Sequence, residues 1–182
     1  TYDLYHETYS YGANMKYIIN PRIYLDAEVY ADNFSSSYRY FAKSGDLMPG
    51  DEVTRKKTHY YNANAKGIFR LNKWNKLSAG MEYVNNQLRS KSDNIAFEDM
   101  YTLSLFAQDE IRLSKQLQAV LGLRYIYNEN FKSHATPNAS LMYKIGRLNL
   151  RAAYAAGFRT PTLSQIYATD ESKTSNRYTI GN

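Results

Sequence analysis

The chain has 182 residues, a formal net charge of +6 and no cysteine, so it offers neither a disulfide framework nor a thiolate metal site. Its 23 basic residues are interspersed with 17 acidic ones rather than gathered into the stripe that nucleic-acid binding requires, so no nucleic-acid partner is expected. Mean hydropathy is −0.61, and no apolar run approaches the roughly 18 residues of a membrane-spanning helix.

Alternating apolar and polar residues predict eight strands in chain order. They cover roughly 9–19, 22–32, 57–70, 76–87, 100–113, 117–128, 134–145 and 148–158. The 19 Tyr and 7 Phe support this assignment, because aromatic residues suit pleated surfaces. Each run reaches the roughly 9–11 residues that a tilted strand needs to cross a bilayer.

The connections between these strands alternate in length. Tight turns are predicted at Asn20–Pro21, Leu71–Asn75, Ser114–Gln116 and Ile145–Arg147. Longer polar stretches lie at 33–55, 87–100 and 129–134, and after Phe158. Outer-membrane barrels have short periplasmic turns and longer extracellular loops, so the alternation favours a transmembrane barrel.

The two faces of the strands differ sharply. In the clearest strand, Leu121 and Leu123 share one face while Arg124 lies on the other. The charged face collects Gln108, Glu110, Arg112, Arg124, Lys144 and Arg151. Unpaired charges in a dry core would cost several kcal/mol each. The polar face is therefore predicted to meet water or a polar surface, and the apolar face to meet lipid.

Aromatic residues of the apolar face fall near both strand ends, as expected for belts at two membrane–water interfaces. Those near the longer connections are Tyr61, Tyr83, Tyr101, Tyr125, Tyr127 and Phe158. Those near the tight turns are Phe69, Trp74 and Tyr143.

The last hairpin, SHATPNASLMYKIGRLNLRAAYAAGFRTPTLSQIY (133–167), contains Tyr154, Gly157, Phe158, Arg159 and Pro161 in the pattern Tyr-x-x-Gly-Phe-Arg-x-Pro. Residues 105–127 have Gln-Asp-Glu before a turn and Gly-x-Arg-Tyr after it, and the closing residues are Ile180-Gly181-Asn182. Together these segments resemble the TonB-dependent outer-membrane receptors.

The resemblance implies that 1–182 is a partial barrel domain, an all-β, antiparallel up-and-down segment of about eight strands from a 22-stranded barrel. No segment resembles the plug, and no signal peptide is visible, so we expect removal of a leader or a longer protein. The implied function is TonB-dependent import of a scarce nutrient, such as a ferric siderophore or cobalamin, across the bacterial outer membrane. The implied partners are outer-membrane lipid, the plug domain of the same protein, TonB through that plug, and the nutrient.

The long loops are the expected place for ligand contacts. The candidates are Phe34, Tyr38, Arg39, Tyr40, Phe41 and Arg159. Guanidinium groups can bind carboxylate or catecholate oxygens, and aromatic rings can stack on a flat ligand. The polar-face residues Glu110, Arg112, Arg124, Lys144 and Arg151 are expected to line the lumen and face the plug.

No catalytic, metal or cofactor site is predicted. Asp109 and Glu110 are neighbours on a strand, so they point to opposite faces. The three histidines, His6, His59 and His134, lack a metal-ligand spacing, and residues 162–182 contain no histidine of the kind that haem receptors of this family carry there.

Two alternatives stay open at this point. One is a complete eight-stranded outer-membrane barrel with a structural or adhesive role. The other is a soluble β-sandwich that binds carbohydrate, and it predicts that Leu121, Leu123, Leu141 and Leu150 are buried between two sheets.

Overall fold

The computed structural model describes residues 2–91 and 93–167, so the Ile180-Gly181-Asn182 motif lies outside the described residues. Eight strands and one short helix follow one another in the described chain. They are β1 (Tyr2–Asn20), β2 (Ile23–Tyr40), β3 (Glu52–Arg70), β4 (Asn75–Ser90), β5 (Ile95–Arg112), β6 (Leu117–Asn128), β7 (Lys132–Ile145), β8 (Leu148–Ala155) and α1 (Leu163–Tyr167). None of the described helical segments has the length and apolar character needed to span a membrane.

The strands form a single antiparallel sheet in which each strand pairs with its sequence neighbours, in the order β1 to β8. The predicted eight-stranded up-and-down architecture is therefore confirmed. The tight turns at one end are closed by local chemistry. Asn72 Oδ1 accepts hydrogen bonds from the backbone N–H groups of Trp74 (2.6 Å) and Asn75 (2.9 Å). Gly146, at φ 57°, supplies the left-handed residue of the last turn.

The connections at the opposite end are shorter than the sequence predicted. Strand β2 runs on to Tyr40 and β3 begins at Glu52, so most of the predicted 33–55 loop is strand. The predicted 87–100 loop is likewise reduced to the residues between Ser90 and Ile95. In these extensions polar and apolar residues are mixed on each face, so the period-two contrast disappears although the backbone pairing continues.

The register sorts the side chains into the two predicted faces. Leu121 of β6 pairs with Ala139 of β7, which pairs with Tyr154 of β8, and these residues share one face. On this apolar face Leu121 is 53%, Leu123 54%, Leu141 45% and Leu150 50% exposed. The β-sandwich alternative is therefore wrong, because it requires these four leucines to be buried.

The two edges of the sheet remain open. β1 and β8 lie at opposite edges, and within residues 2–91 and 93–167 they do not pair with each other. Every described residue of β1 is exposed to solvent. The alternative of a complete, closed eight-stranded barrel is therefore not what this chain forms.

Candidate functional site

The polar face carries a hydrogen-bonded network that crosses four strands, β3 to β6. We define the polar face as the side of the sheet that bears Glu82, Ser104 and Arg124. The guanidinium of Arg124 forms an ion pair with Glu82 and donates to Ser104 Oγ at 3.0 Å. Glu82 also accepts a hydrogen bond from Asn62 Nδ2 at 3.2 Å. The polar face is thus a half-exposed surface of paired charges and amides rather than a dry core.

The five predicted lumenal residues do share this face. Glu110 of β5 is opposite Val120 of β6 in the register. Arg124 lies four residues after Val120 on β6, so it is on the same face. The remaining three follow by register: Arg112 opposite Gln118, Arg151 opposite Met142, and Lys144 two residues beyond Met142. Only some of them have ion-pair partners. Lys76 Nζ lies 3.0 and 3.2 Å from the carboxylate oxygens of Glu110, whereas none of the ion pairs found in the described chain involves Arg112, Lys144 or Arg151.

The segment that follows β8, residues 156–167, folds back over the polar face. Its helix α1 begins with a reciprocal cap, in which Thr162 N–H donates to Gln165 Oε1 (3.0 Å) and Gln165 N–H donates to Thr162 Oγ1 (3.3 Å). Leu163 of this helix is 5% exposed and packs with Leu88 and Met100. The segment is therefore anchored by an apolar contact on an otherwise polar wall.

Phe158 belongs to this segment, which corrects its assignment to the apolar face. β8 ends at Ala155 rather than at residue 158, and the chain then turns toward the polar face. There the Phe158 ring stacks on His134, with centroids 3.7 Å apart and an interplanar angle of 16°. The last pairing contact is the hydrogen bond from Ala156 N–H to Pro137 O at 3.0 Å. The neighbouring Arg159 is exposed.

A groove of about 910 Å³ lies between this segment and the wall. Glu82 and Arg124 form part of its floor, and Phe158, Pro161 and Leu163 form one side. Lys56 Nζ donates to Ser164 Oγ at 3.3 Å across the groove. Sequence analysis had identified Arg124 but not Glu82, although Glu82 occupies a polar-face position in the alternating pattern of β4.

Four of the six predicted ligand residues lie in β2 rather than in a loop; Phe41 directly follows β2, and Arg159 follows β8. Phe34, Tyr38, Arg39 and Tyr40 all belong to this strand. Arg39 is held on both sides, because its guanidinium lies 4.5 Å from the Tyr5 ring centroid and 3.6 Å from Glu52. Their loop placement was wrong because the pairing of β2 with β3 continues past the apolar zone.

Aromatic rings also gather at this end of β1 and β2. The Tyr2 ring lies 4.6 Å from that of Tyr38 and 5.7 Å from that of Tyr40. The Phe34 ring stacks on His6 at 5.5 Å. Phe41, the first residue after β2, is 56% exposed. By the register, the rings of Tyr2, Phe34, Tyr38 and Tyr40 lie on the polar face, whereas Arg39 lies on the opposite face with Tyr5.

The described part of the chain contains no group of three His, Cys, Asp or Glu side chains that could hold a metal ion. The carboxylates of Asp109 and Glu110 are used separately, in contacts with Asn75 (3.0 Å) and Lys76 respectively. They point to opposite faces, as expected for neighbours on a strand.

The family model for TonB dependent receptor-like β-barrels matches residues 1–182. The chain belongs to this TonB-dependent receptor family. No curated protein sequence matches it. Among solved structures it is similar to a mutant of the ferric enterobactin receptor PfeA from Pseudomonas aeruginosa. That match has a TM-score of 0.72 and 19% identity, and it covers 90% of this chain and 26% of that one.

The siderophore receptors named PirA are also similar in fold to this TonB-dependent receptor segment. The protein from Acinetobacter baumannii matches with a TM-score of 0.66 and 14% identity over 87% of this chain and 26% of that one. The protein from Pseudomonas aeruginosa matches with a TM-score of 0.58 and 17% identity over 88% and 36%. The chain thus spans about a quarter to a third of the length of these receptors.

Proposed function

We propose that this chain is part of the barrel wall of an outer-membrane importer driven by TonB, with a ferric siderophore as its ligand. The observation that carries the proposal is the segregation of the two faces. Exposed leucines and tyrosines from neighbouring strands cover one side of the sheet, and contiguous exposed apolar surfaces of this kind mark contact with a membrane or a partner. Acyl chains of the outer membrane are the environment that suits such a surface.

Two aromatic belts bound the apolar face in this proposal. At the upper level, the Tyr101 ring lies 6.2 Å from that of Tyr83 and 6.1 Å from that of Tyr127. At the lower level, Tyr143 pairs with Leu117. From Leu117 to Tyr125 the strand rises about 20 Å along the membrane normal at a tilt near 45°, close to the roughly 25 Å of an outer-membrane apolar band.

The polar face lines the lumen in this proposal and meets the plug domain of the same protein. The cations Arg112, Lys144 and Arg151 favour an acidic partner surface, since none of them takes part in the ion pairs of the described chain. Each hydrogen bond between the plug and this water-exposed wall would contribute little binding free energy, because the same groups can hydrogen-bond to water instead. A plug held in this way can be displaced when TonB transmits energy to it.

The ligand is proposed from the solved relatives and from the chemistry of the upper end of the sheet. The similar structures are named as ferric enterobactin and siderophore receptors, and one is described in complex with BCV-L6. Flat groups of a ferric siderophore can pack on Tyr38 and Tyr40, whose rings lie on the polar face, and on the exposed Phe41. Anionic oxygens of the siderophore can bind the exposed guanidinium of Arg159, beyond β8.

The proposed orientation can be tested with nitroxide labels on the whole protein in lipid bilayers. Leu141 and Met142 are adjacent and similar in size, and they lie on opposite faces. A label at Leu141→Cys is expected to collide frequently with dissolved oxygen and rarely with a water-soluble nickel chelate, whereas Met142→Cys shows the reverse. Equal access of the nickel chelate to both positions would show that the apolar face does not meet lipid.

The proposed ligand can be tested by uptake of an iron-labelled ferric siderophore into cells that produce the whole protein. Uptake is expected to require TonB. Exchanging Arg159→Gln and Phe41→Ala together is expected to weaken siderophore binding about tenfold, because one charge-assisted hydrogen bond contributes roughly 1.5–3 kcal/mol. The exchange Arg147→Gln, in a turn at the opposite end, serves as the control and is expected to leave binding unchanged.

A further inference from the structure

The pairing of β2 with β3 is interrupted by one extra residue at the end of the sheet away from the tight turns. Ser36 of β2 pairs with Lys56 of β3. The next residue, Ser37, pairs with Thr54, so Arg55 is left without a partner in the ladder. A bulge of this kind changes the direction in which side chains point, and bulges are frequent beside functional sites.

The bulge brings two successive cations to the polar face. Lys56 lies an even number of residues from Asn64, which is opposite Glu82, so Lys56 shares the polar face. In a regular strand its neighbour Arg55 would point to the other side. Instead, the guanidinium carbon of Arg55 lies 5.7 Å from the ring centroid of Tyr38, on the polar face.

Two buried polar atoms at the bulge have no hydrogen-bond partner within residues 2–91 and 93–167. They are Nε of Arg55 and Oγ of Ser36, and the Ser36 residue is only 3% exposed. A buried polar group without a partner is costly, so two of them at one bulge indicate a missing hydrogen-bonding partner. The acceptor that suits the N–H of a guanidinium best is an anionic oxygen.

The acids of the described chain do not supply this oxygen. None of the ion pairs found in the described residues includes Arg55 or Lys56. Asp93, which follows β4, instead accepts a hydrogen bond from Ser90 Oγ at 2.8 Å. Lys56 Nζ donates to Ser164 Oγ at 3.3 Å, and this uncharged partner does not neutralise it. Both cations of the bulge therefore keep their positive charge.

The bulge lies at the upper end of the polar groove, given the proposed function on which this step rests. Lys56 and Ser164 line this groove, and Arg124 lies further along its floor. The Tyr38 ring, beside the bulge, is one of the aromatic surfaces proposed to contact the ligand. A flat ligand group that packs on Tyr38 would place its oxygens within reach of Arg55.

We propose that Ser36, Arg55 and Lys56 form a subsite for an anionic oxygen of the imported complex. The subsite selects negatively charged ferric siderophores, which carry catecholate or carboxylate oxygens, over neutral ferric hydroxamates. A neutral complex leaves the two buried polar atoms without a charged partner. A site built to hydrogen-bond a ligand group rejects the analogue that lacks this group, because its own buried groups then stay unpaired.

The test compares two complexes, a negatively charged ferric tricatecholate and a neutral ferric trihydroxamate, in their binding to the whole protein in detergent. The parent protein is expected to bind the tricatecholate at least about tenfold more tightly than the trihydroxamate. Arg55→Gln is expected to weaken tricatecholate binding at least about tenfold, and Ser36→Ala at least about threefold. Both exchanges are expected to change trihydroxamate binding less than about twofold, because this complex has no anionic oxygen for the subsite.

The matched control is Lys57→Gln. Lys57 follows Lys56 but lies on the opposite face, across from Arg89 of β4, and it is exposed. The control removes the same charge as Arg55→Gln, outside the subsite. It is expected to weaken tricatecholate binding less than about twofold, because solvent and salt screen a charge on the far face.

Three results would overturn the proposal. Equal weakening by Arg55→Gln and Lys57→Gln would show that only the net charge of the wall attracts the ligand. Equal affinity of the parent protein for both complexes would show that the wall does not select charge. Unchanged tricatecholate binding by Arg55→Gln, together with a lower unfolding midpoint without ligand, would show that another part of the protein supplies the acceptor. In each case the parent still binds a siderophore, so the proposed function stands, whereas a parent protein that binds neither complex would overturn both.

Discussion

Placing a positive charge at the centre of the apolar band is the most direct test of whether this face contacts lipid. Leu121 lies four residues from Tyr125 of the upper belt and four from Leu117, which pairs with Tyr143 of the lower belt. It is thus equidistant from both belts. We expect Leu121→Arg to destabilise the barrel by about 2–4 kcal/mol, the cost of an arginine at the bilayer midplane of an outer-membrane barrel.

The neighbouring residue provides the control. Val120 is at the same depth on the same strand but on the polar face, directly opposite Glu110. Val120→Arg therefore places the same charge beside a carboxylate, and it is expected to change stability by less than about 1 kcal/mol. At the belt itself, Tyr127→Arg is expected to cost about 0–1 kcal/mol from its charge, since the penalty falls toward the interface.

The assay is urea unfolding of the whole protein folded into phospholipid vesicles, with the free energy of unfolding compared between variants. The expected order of destabilisation is Leu121→Arg well above Tyr127→Arg. Equal losses for Leu121→Arg and Val120→Arg would refute the reasoning, because only one of the two faces is claimed to contact hydrocarbon.

Two further predictions concern the polar face. Leu163→Ala should release the segment after β8 and speed its amide hydrogen exchange, because Leu163 is that segment's buried anchor; unchanged exchange would contradict this, and Ser164→Ala, which removes a single bond, is the mild control. Glu82→Gln should cost only about 1 kcal/mol in urea unfolding, since its ion pair with Arg124 is half-exposed. A loss above about 3 kcal/mol would instead indicate that this part of the wall is dry.

The sequence predicted those features that depend on contrast between alternate residues. Leu121 and Arg124 differ in polarity, so their assignment to opposite faces and the pairing order of the strands follow directly. The tight turns could also be predicted from the sequence. The Asn72 side chain can accept hydrogen bonds from nearby backbone N–H groups, and Gly146 can adopt a positive φ without steric cost.

Features without such contrast could not be predicted. Between Asn33 and Tyr40 polar residues occupy both faces, so the sequence resembles a loop although the backbone ladder continues. The reversal after Ala155 depends on docking of Leu163 against distant strands, which no local pattern reports. The opposition of Lys57 and Arg89 was also missed, because it exists only in the register between β3 and β4.

The extension of the strands changes what ligand recognition by this wall would require. A ligand contact on a long loop must be ordered when the ligand binds, at a cost of roughly 0.5–1.5 kcal/mol for each immobilised side chain. Tyr38 and Tyr40 are instead carried on the polar face of a paired strand, with the Tyr2 ring 4.6 and 5.7 Å away, before any ligand arrives. A site built on strands is more precisely positioned than one on loops. In the proposed importer, the upper wall would therefore supply fixed contacts that select the shape of the ligand, and the exposed Phe41 beside it would supply the adaptable one.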